Sequence, residues 1–358
     1  MNKMLQKVIT EKRLSWERSD INIENIMVQL SSKSIDMLHY FIENNCDSYN
    51  EKTFGQGDFR KKALGLNILR DEIEGLIPKY ISNGPGILLI KNVLPSEYTD
   101  FDKWKSGEMT FNGKDTIKWK KHLNKLKMAL AVISCQLGYL HLQGEEDEEG
   151  EKRVYVKEIK DRGMKYGPGS NAHYSDTNQG GDFHTDGAER PFPIPKYLPI
   201  LFIRPSERGG QMVIKSIYPT HNRLYKNSPE LLKCLYENFI WDRRGSQGEG
   251  ESNTFEKPIF TYSPKESLIF SYLRVYIESG YSIEKKKMTS EEIAALNALD
   301  KEISDENLYL SIKFQPGNLF ISNNYMTIHG RPKEGYKDSK LDPHKQRLMI
   351  RTWVSEIS

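Results

Sequence analysis

Residues 316–331 read PGNLFISNNYMTIHGR. Pro316 and Gly317 open a short apolar run, 318–323, of the kind that forms a buried strand, and Asn323 with Asn324 then supplies a turn. His329 follows that turn, so the segment can deliver an imidazole to the mouth of a sheet.

Earlier in the chain, residues 180–187 read GGDFHTDG and place His184 two positions before Asp186. In a strand, residues i and i+2 share a face about 6.6 Å apart, so both can reach one ion while Thr185 points away. His184, Asp186 and His329 together offer two imidazoles and one carboxylate. That donor set suits non-haem Fe(II), held on one side and left open on the other. The tripeptide alone is a weak signal, because a chain with 8 His and 49 acidic residues yields about one such pair by chance. Its weight comes from what accompanies it.

Residues 347–354 read RLMIRTWV. As a strand, they put Arg347, Met349, Arg351 and Trp353 on one face and Leu348, Ile350 and Thr352 on the other. Two guanidinium groups on one face are costly to bury without an anion. A dicarboxylate co-substrate, an acidic substrate or a local Asp or Glu would satisfy them.

Strand signals recur at 153–159, 197–204, 211–218, 239–243, 258–262 and 267–277, and again at 308–314. Many short strands separated by turn residues indicate a sandwich or barrel. Helical insertions are expected at about 218–237 and at 289–303, the second opened by Thr289 and Glu292 at capping-box spacing. Residues 34–45 and 59–77 carry apolar side chains every three or four positions, as helices do, and 85–94 break that period as a buried strand. Residues 116–138 return to helix with an end apolar enough to be buried. The expectation is an α+β chain, with a helical segment over 1–82 packed on a core over 83–358.

With 52 Lys and Arg against 49 Asp and Glu, the net charge of +3 gives no basic field for nucleic acid. The polar start and the lack of an apolar run of about 18 residues point to a cytoplasmic protein without a membrane partner. Three widely spaced cysteines suit reduced, buried thiols. The acidic run 144–151, His344, Asp182 and Glu189 read as solvated, and His173 as a surface residue or one behind the ligands. Arg274 is expected on a strand with Tyr272 and Tyr276, where it could meet a substrate carboxylate or pair with a local acid. Asn178 and Gln179, just before the HTD tripeptide, could touch substrate. Oligomeric state is not legible.

These motifs, in this order, resemble the iron- and 2-oxoglutarate-dependent oxygenases of the taurine dioxygenase and clavaminate synthase-like superfamily. The resemblance covers about residue 84 to the C-terminus. It implies a distorted double-stranded β-helix, or jelly roll, with flanking helices. It also implies Fe(II) on His184, Asp186 and His329, and 2-oxoglutarate chelating the metal with its far carboxylate on Arg347. Arg351 would support the site or clamp a substrate carboxylate, and Arg331 would stand near substrate or behind the ligands. The implied reaction consumes O2, releases succinate and CO2, and oxidises an unactivated C–H bond, most commonly by hydroxylation. The substrate would be a small polar molecule, an amino acid or an intermediate derived from one. Two alternatives are a protein or peptide side-chain hydroxylase and a non-catalytic, metal-containing jelly-roll binding protein. One departure stands out: where relatives carry Thr or Ser after a glycine pair, Gly209 and Gly210 are followed by Gln211 and Met212, and methionine donates no hydrogen bond.

Overall fold

Apolar residues on Ile87–Lys91, Tyr197–Arg204, Leu319–Asn323 and Leu348–Ser355 are buried on both faces of one sheet. Alternate side chains of a strand go to opposite faces, and each face here meets its own core. On one side Leu88, Ile90, Leu201, Ile321 and Ile350 pack with residues of the helices Ser32–Asn45, Gly57–Leu64, Asn67–Leu76 and Ile117–Leu137. On the other side Leu89, Ile200, Phe202, Phe320 and Met349 meet Met212, Ile214, Leu310 and Ile312. The structure is a computed structural model. It describes residues 4–5, 7–101, 104, 107–111, 114–144, 153–167, 170, 172–263, 267–313, 315–338 and 346–356. His344 and the acidic run beyond Gly144 lie outside the described residues.

The large sheet runs Met27–Gln29, Ile87–Lys91, Leu319–Asn323, Tyr197–Arg204, Leu348–Ser355, with Tyr139–His141 and Val156–Ile159 both pairing the last strand. The first pair is parallel and the remaining pairs are antiparallel. A smaller antiparallel sheet, Leu310–Ile312, Met212–Ser216 and Thr327–Gly330, supplies the opposite wall of the second core. The site lies between these two sheets.

Residues before 82 do more than form helices. Met27–Gln29 joins the large sheet, and Trp16 is fully buried, its indole N–H donating to the Pro85 carbonyl at 2.8 Å. Trp16→Ala should therefore cost about 3–5 kcal/mol of stability, read as a lower midpoint in urea unfolding. An unchanged midpoint would detach this segment from the core.

The expected strand 267–277 is corrected. Only Ser267–Phe270 is extended, and Arg274–Ile283 is a helix. Leu273, Tyr276, Ile277, Gly280 and Tyr281 recur at three- and four-residue steps, a helical period that aromatic and β-branched composition hides. Gly280 lets this helix lie against the strand Asn238–Asp242: a Cβ there would sit 2.5 Å from the Ile240 carbonyl oxygen. The insertions are the helices Tyr218–Asn227, Pro229–Cys234 and Ser290–Ile303. Thr289 and Glu292 close the capping box at 3.1 and 2.6 Å. Among the described residues no helix is long and apolar enough to cross a membrane.

Candidate metal centre and its two cavities

His184 does not lie in a continuous strand. It joins the edge of the small sheet by a single bridge to His329, with N–H to carbonyl bonds of 2.8 and 3.1 Å, and the chain turns at Asp186. The bridge sets the two imidazoles side by side, ring centroids 4.4 Å apart. Ligand atoms of His184, Asp186 and His329 all lie within 4.8 Å of one another, and all three residues are buried. Among the described residues no fourth His, Cys, Asp or Glu completes the group.

Electrostatics prepare this group for a cation. Burial lowers the pKa of both histidines, and for His184 the neighbouring His329 adds to it, so both rings are neutral with a lone pair to give. Burial would raise the Asp186 carboxyl, but Arg351, His329 and His184 outweigh it and hold it below its ordinary value. Nδ1 of His184 and Oδ2 of Asp186 are buried without a hydrogen-bond partner among the described residues. Orphaned polar atoms of this kind are costly, and a divalent ion accepting both accounts for them. The donor set thus fits Fe(II).

Asn324, read from sequence only as a turn former, fastens the Asp186 segment. Its Oδ1 accepts from the Asp186 N–H at 3.0 Å, and its Nδ2 donates to the carbonyls of Asp186 and Pro195 at 2.9 Å each. Groups that orient a metal ligand by hydrogen bonding also set how tightly the metal is held. Asn324→Ala should lower iron affinity about 10- to 100-fold by equilibrium dialysis while the circular dichroism stays native. Unchanged affinity would reduce Asn324 to a turn residue. Gly180 makes a second close approach: a Cβ there would be 1.9 Å from the Pro332 carbonyl oxygen, so the loops before His184 and after His329 touch backbone to backbone.

The arginines divide. Arg351 donates from Nη1 to the Asp186 carboxylate and from Nε to Gln143 at 2.9 Å. Arg331 is spent on three carbonyls, those of Thr177, Gln179 and Tyr174, at 2.6 Å each, and lies over the Tyr174 ring at 4.0 Å. Gln179 in turn accepts the Tyr166 N–H at 2.6 Å, so its side chain holds the loop together. Arg347 is 3 % exposed, with the Tyr336 ring at 4.9 Å and the Met349 sulfur at 3.2 Å, and its Nη1 has no hydrogen-bond partner among the described residues. Burial, then the Arg331 charge, push the Arg347 pKa down to about 10, which leaves it a cation at neutral pH. Arg274 opens a helix rather than lying on a strand, and of its two expected roles it shows the pairing with local acids, Glu278 at 2.8 Å and Asp300 at 2.9 Å; it lines neither cavity beside the metal group.

Two cavities flank the three ligands and share Tyr174, Ser175, His184, Asp186 and Arg351 as walls. One extends past Met212 and Met349 to Arg347. The other extends past Leu273 and Trp353 to His173, Tyr276 and Glu189. Glu189 is thus buried rather than solvated, and Asp182 is half-buried, with its pKa raised by that burial. A wider cleft opens beside Gln143 and His173, and its charges pair with one another: Lys127 with Glu158 at 2.8 Å, Lys157 and Arg162 with Asp176 at 3.4 and 3.0 Å.

A family model described as taurine catabolism dioxygenase TauD, TfdA family matches residues 136–353. FR-33289 synthase from Streptomyces rubellomurinus is 24% identical over 184 residues, which cover 50% of this chain and 50% of that protein, so the match spans about half of that curated relative. Among solved structures, an asparagine oxygenase in complex with Fe(II), 2S,3S-3-hydroxyasparagine and succinate superposes with a TM-score of 0.61 at 14% identity, covering 92% of this chain and 93% of that one. The non-heme iron oxygenase OrfP in complex with Fe and L-Arg gives the same TM-score of 0.61, 14% identity and coverage of 92% and 93%. At such identities the likeness is one of fold.

Proposed function

The chain belongs to the TauD/TfdA dioxygenase family, and from that premise we propose that it is an Fe(II)- and 2-oxoglutarate-dependent oxygenase that hydroxylates a free amino acid or a small molecule derived from one. The observation that carries this reading is a buried His-Asp-His group set between two cavities, one of them ending in a buried arginine with an orphaned Nη1. The two facing sheets are, on this reading, the halves of a jelly roll. Iron and 2-oxoglutarate supply the oxidising chemistry, consuming O2 and releasing succinate and CO2, while the protein binds, orients and shields.

His184, Asp186 and His329 hold the iron. Arg347 takes the far carboxylate of 2-oxoglutarate through its guanidinium fork, which suits a carboxylate in two-point contact. Met212 and Met349 line that cavity and exclude water, so polar recognition falls to Arg347 together with the Tyr174 and Ser175 hydroxyls on its wall, which have no hydrogen-bond partner among the described residues. Arg351 is fixed by Asp186 and Gln143, while its Nη2 makes no hydrogen bond among the described residues and can meet a substrate carboxylate. Substrate enters the cavity bounded by Leu273, Tyr276 and Trp353. The amino acids named with the asparagine oxygenase and OrfP structures favour a free amino acid over a protein side chain.

The test is succinate release over a panel of free amino acids and short peptides, with product mass read in parallel. A free amino acid that gains one oxygen atom supports the reading. Background release with every free amino acid and turnover only with peptides would move it to a peptide hydroxylase.

A further inference from the structure

One carboxylate beside the metal ligands has no use in holding iron or 2-oxoglutarate. Glu189, three positions after Asp186, is 7 % exposed and lines the second cavity. Its carboxylate makes no hydrogen bond or ion pair among the described residues. Three of the cations near it have acid partners of their own. Arg351 takes Asp186, Lys157 takes Asp176 at 3.4 Å, and Arg244 takes Asp242 at 3.0 Å. Arg190 donates to the Leu142 carbonyl at 2.6 Å and lies over the Trp353 ring, and its Nε has no hydrogen-bond partner among the described residues.

The position is also built. Lys257, itself buried, donates to the carbonyls on either side of Glu189, those of Ala188 at 2.9 Å and Arg190 at 2.8 Å. It is anchored in turn on the Ser271 hydroxyl at 2.8 Å and ringed by Trp241 and Phe192. A lysine locked in this way fixes the backbone that carries Glu189. Tyr276, on the same cavity, feels it: burial raises the phenol pKa, and the Glu189 charge is the next cause. The Glu189 charge acts through space on Lys257, Lys157 and Arg190, but no cation among the described residues touches its carboxylate, which lines the cavity and can take one from there.

We infer that Glu189 is a specificity-determining residue that receives a cationic group of the substrate, an ammonium or a guanidinium, beside the Tyr276 hydroxyl. The inference rests on the oxygenase reading above. With Arg351 at the metal end and Glu189 at the other, the cavity selects a molecule with a carboxylate and a cation held apart. The cation is either the α-ammonium of an amino acid or the terminus of a basic side chain, and the same carboxylate chemistry serves both.

The test is calorimetric titration of anaerobic, Fe(II)- and 2-oxoglutarate-loaded protein with L-ornithine, L-norvaline and 5-aminopentanoate, and with L-arginine against L-citrulline. Expected is at least a tenfold preference for a cationic probe over its neutral counterpart, lost in Glu189→Gln and kept in Glu189→Asp. Preference over L-norvaline or L-citrulline places the side-chain cation at Glu189, and preference over 5-aminopentanoate places the α-ammonium there. Equal binding within every pair, no saturable binding of any cationic probe, or a preference that survives in Glu189→Gln overturns the inference. The visible band of the Fe(II)–2-oxoglutarate complex is read on the same samples. Its absence from wild type would fail the oxygenase reading, whereas a normal band without discrimination fails only the role of Glu189.

Discussion

His329→Ala is expected to lose iron and turnover together while the fold survives. His329 supplies one of three ligand atoms gathered within 4.8 Å, and no fourth group among the described residues can replace it. Its link to His184 runs through backbone N–H and carbonyl groups, which alanine retains. Loss of a group that merely orients a ligand costs about 10- to 100-fold, so removal of a ligand should exceed a hundredfold and bring succinate release to background. Metal analysis after desalting and succinate release check this, with circular dichroism as the control for folding. Asp186→Ala should differ in one respect. Asp186 also neutralises the buried Arg351, and leaving that cation unpaired adds about 3–5 kcal/mol of destabilisation that His329→Ala does not show. Retained iron in either variant would remove the metal assignment.

Arg347→Ala is expected to raise the 2-oxoglutarate requirement sharply. Removing one partner of a buried charge pair costs about 2–5 kcal/mol, which is on the order of 30-fold or more in half-saturating concentration. Without co-substrate the effect on the fold should be small, since Nη1 of this guanidinium lacks a protein partner and its surroundings are the Met349 sulfur and the Tyr336 ring. Unfolding midpoints measured with and without 2-oxoglutarate separate the two effects: the ligand should stabilise wild type and not the variant. An unchanged 2-oxoglutarate dependence would move the anion site to Arg351. Arg331 is a poorer candidate because three backbone carbonyls already occupy it.

How much of this was legible in the sequence depended on the range of the interaction. The period of two in residues 347–354 told which side chains share a face, and Met349 and Trp353 do pack into one core while Leu348 and Ile350 pack into the other. The His-Asp-His set could be read because its spacing and residue types are local, even though the bridge that joins the two halves spans the chain. Met27–Gln29 was missed because three residues carry no periodicity and the partner strand lies 60 positions away. The helix Arg274–Ile283 was misread because residue preference and helical period pointed in different directions there. Asn324 signalled only a turn and Gln143 nothing, since a polar residue in a turn or loop looks the same whether it faces water or fastens a ligand. Glu189 looked solvated for the same reason: burial of a lone carboxylate is decided by what the helix Arg274–Ile283 and the Lys257 clamp put around it.

The most direct test of the account is anaerobic titration of Fe(II)-loaded protein with 2-oxoglutarate, watching for the weak visible charge-transfer band of keto-acid chelation. The account predicts a saturable band in wild type and none in His329→Ala. Iron that binds at His184, Asp186 and His329 and yields no band at any 2-oxoglutarate concentration would contradict it.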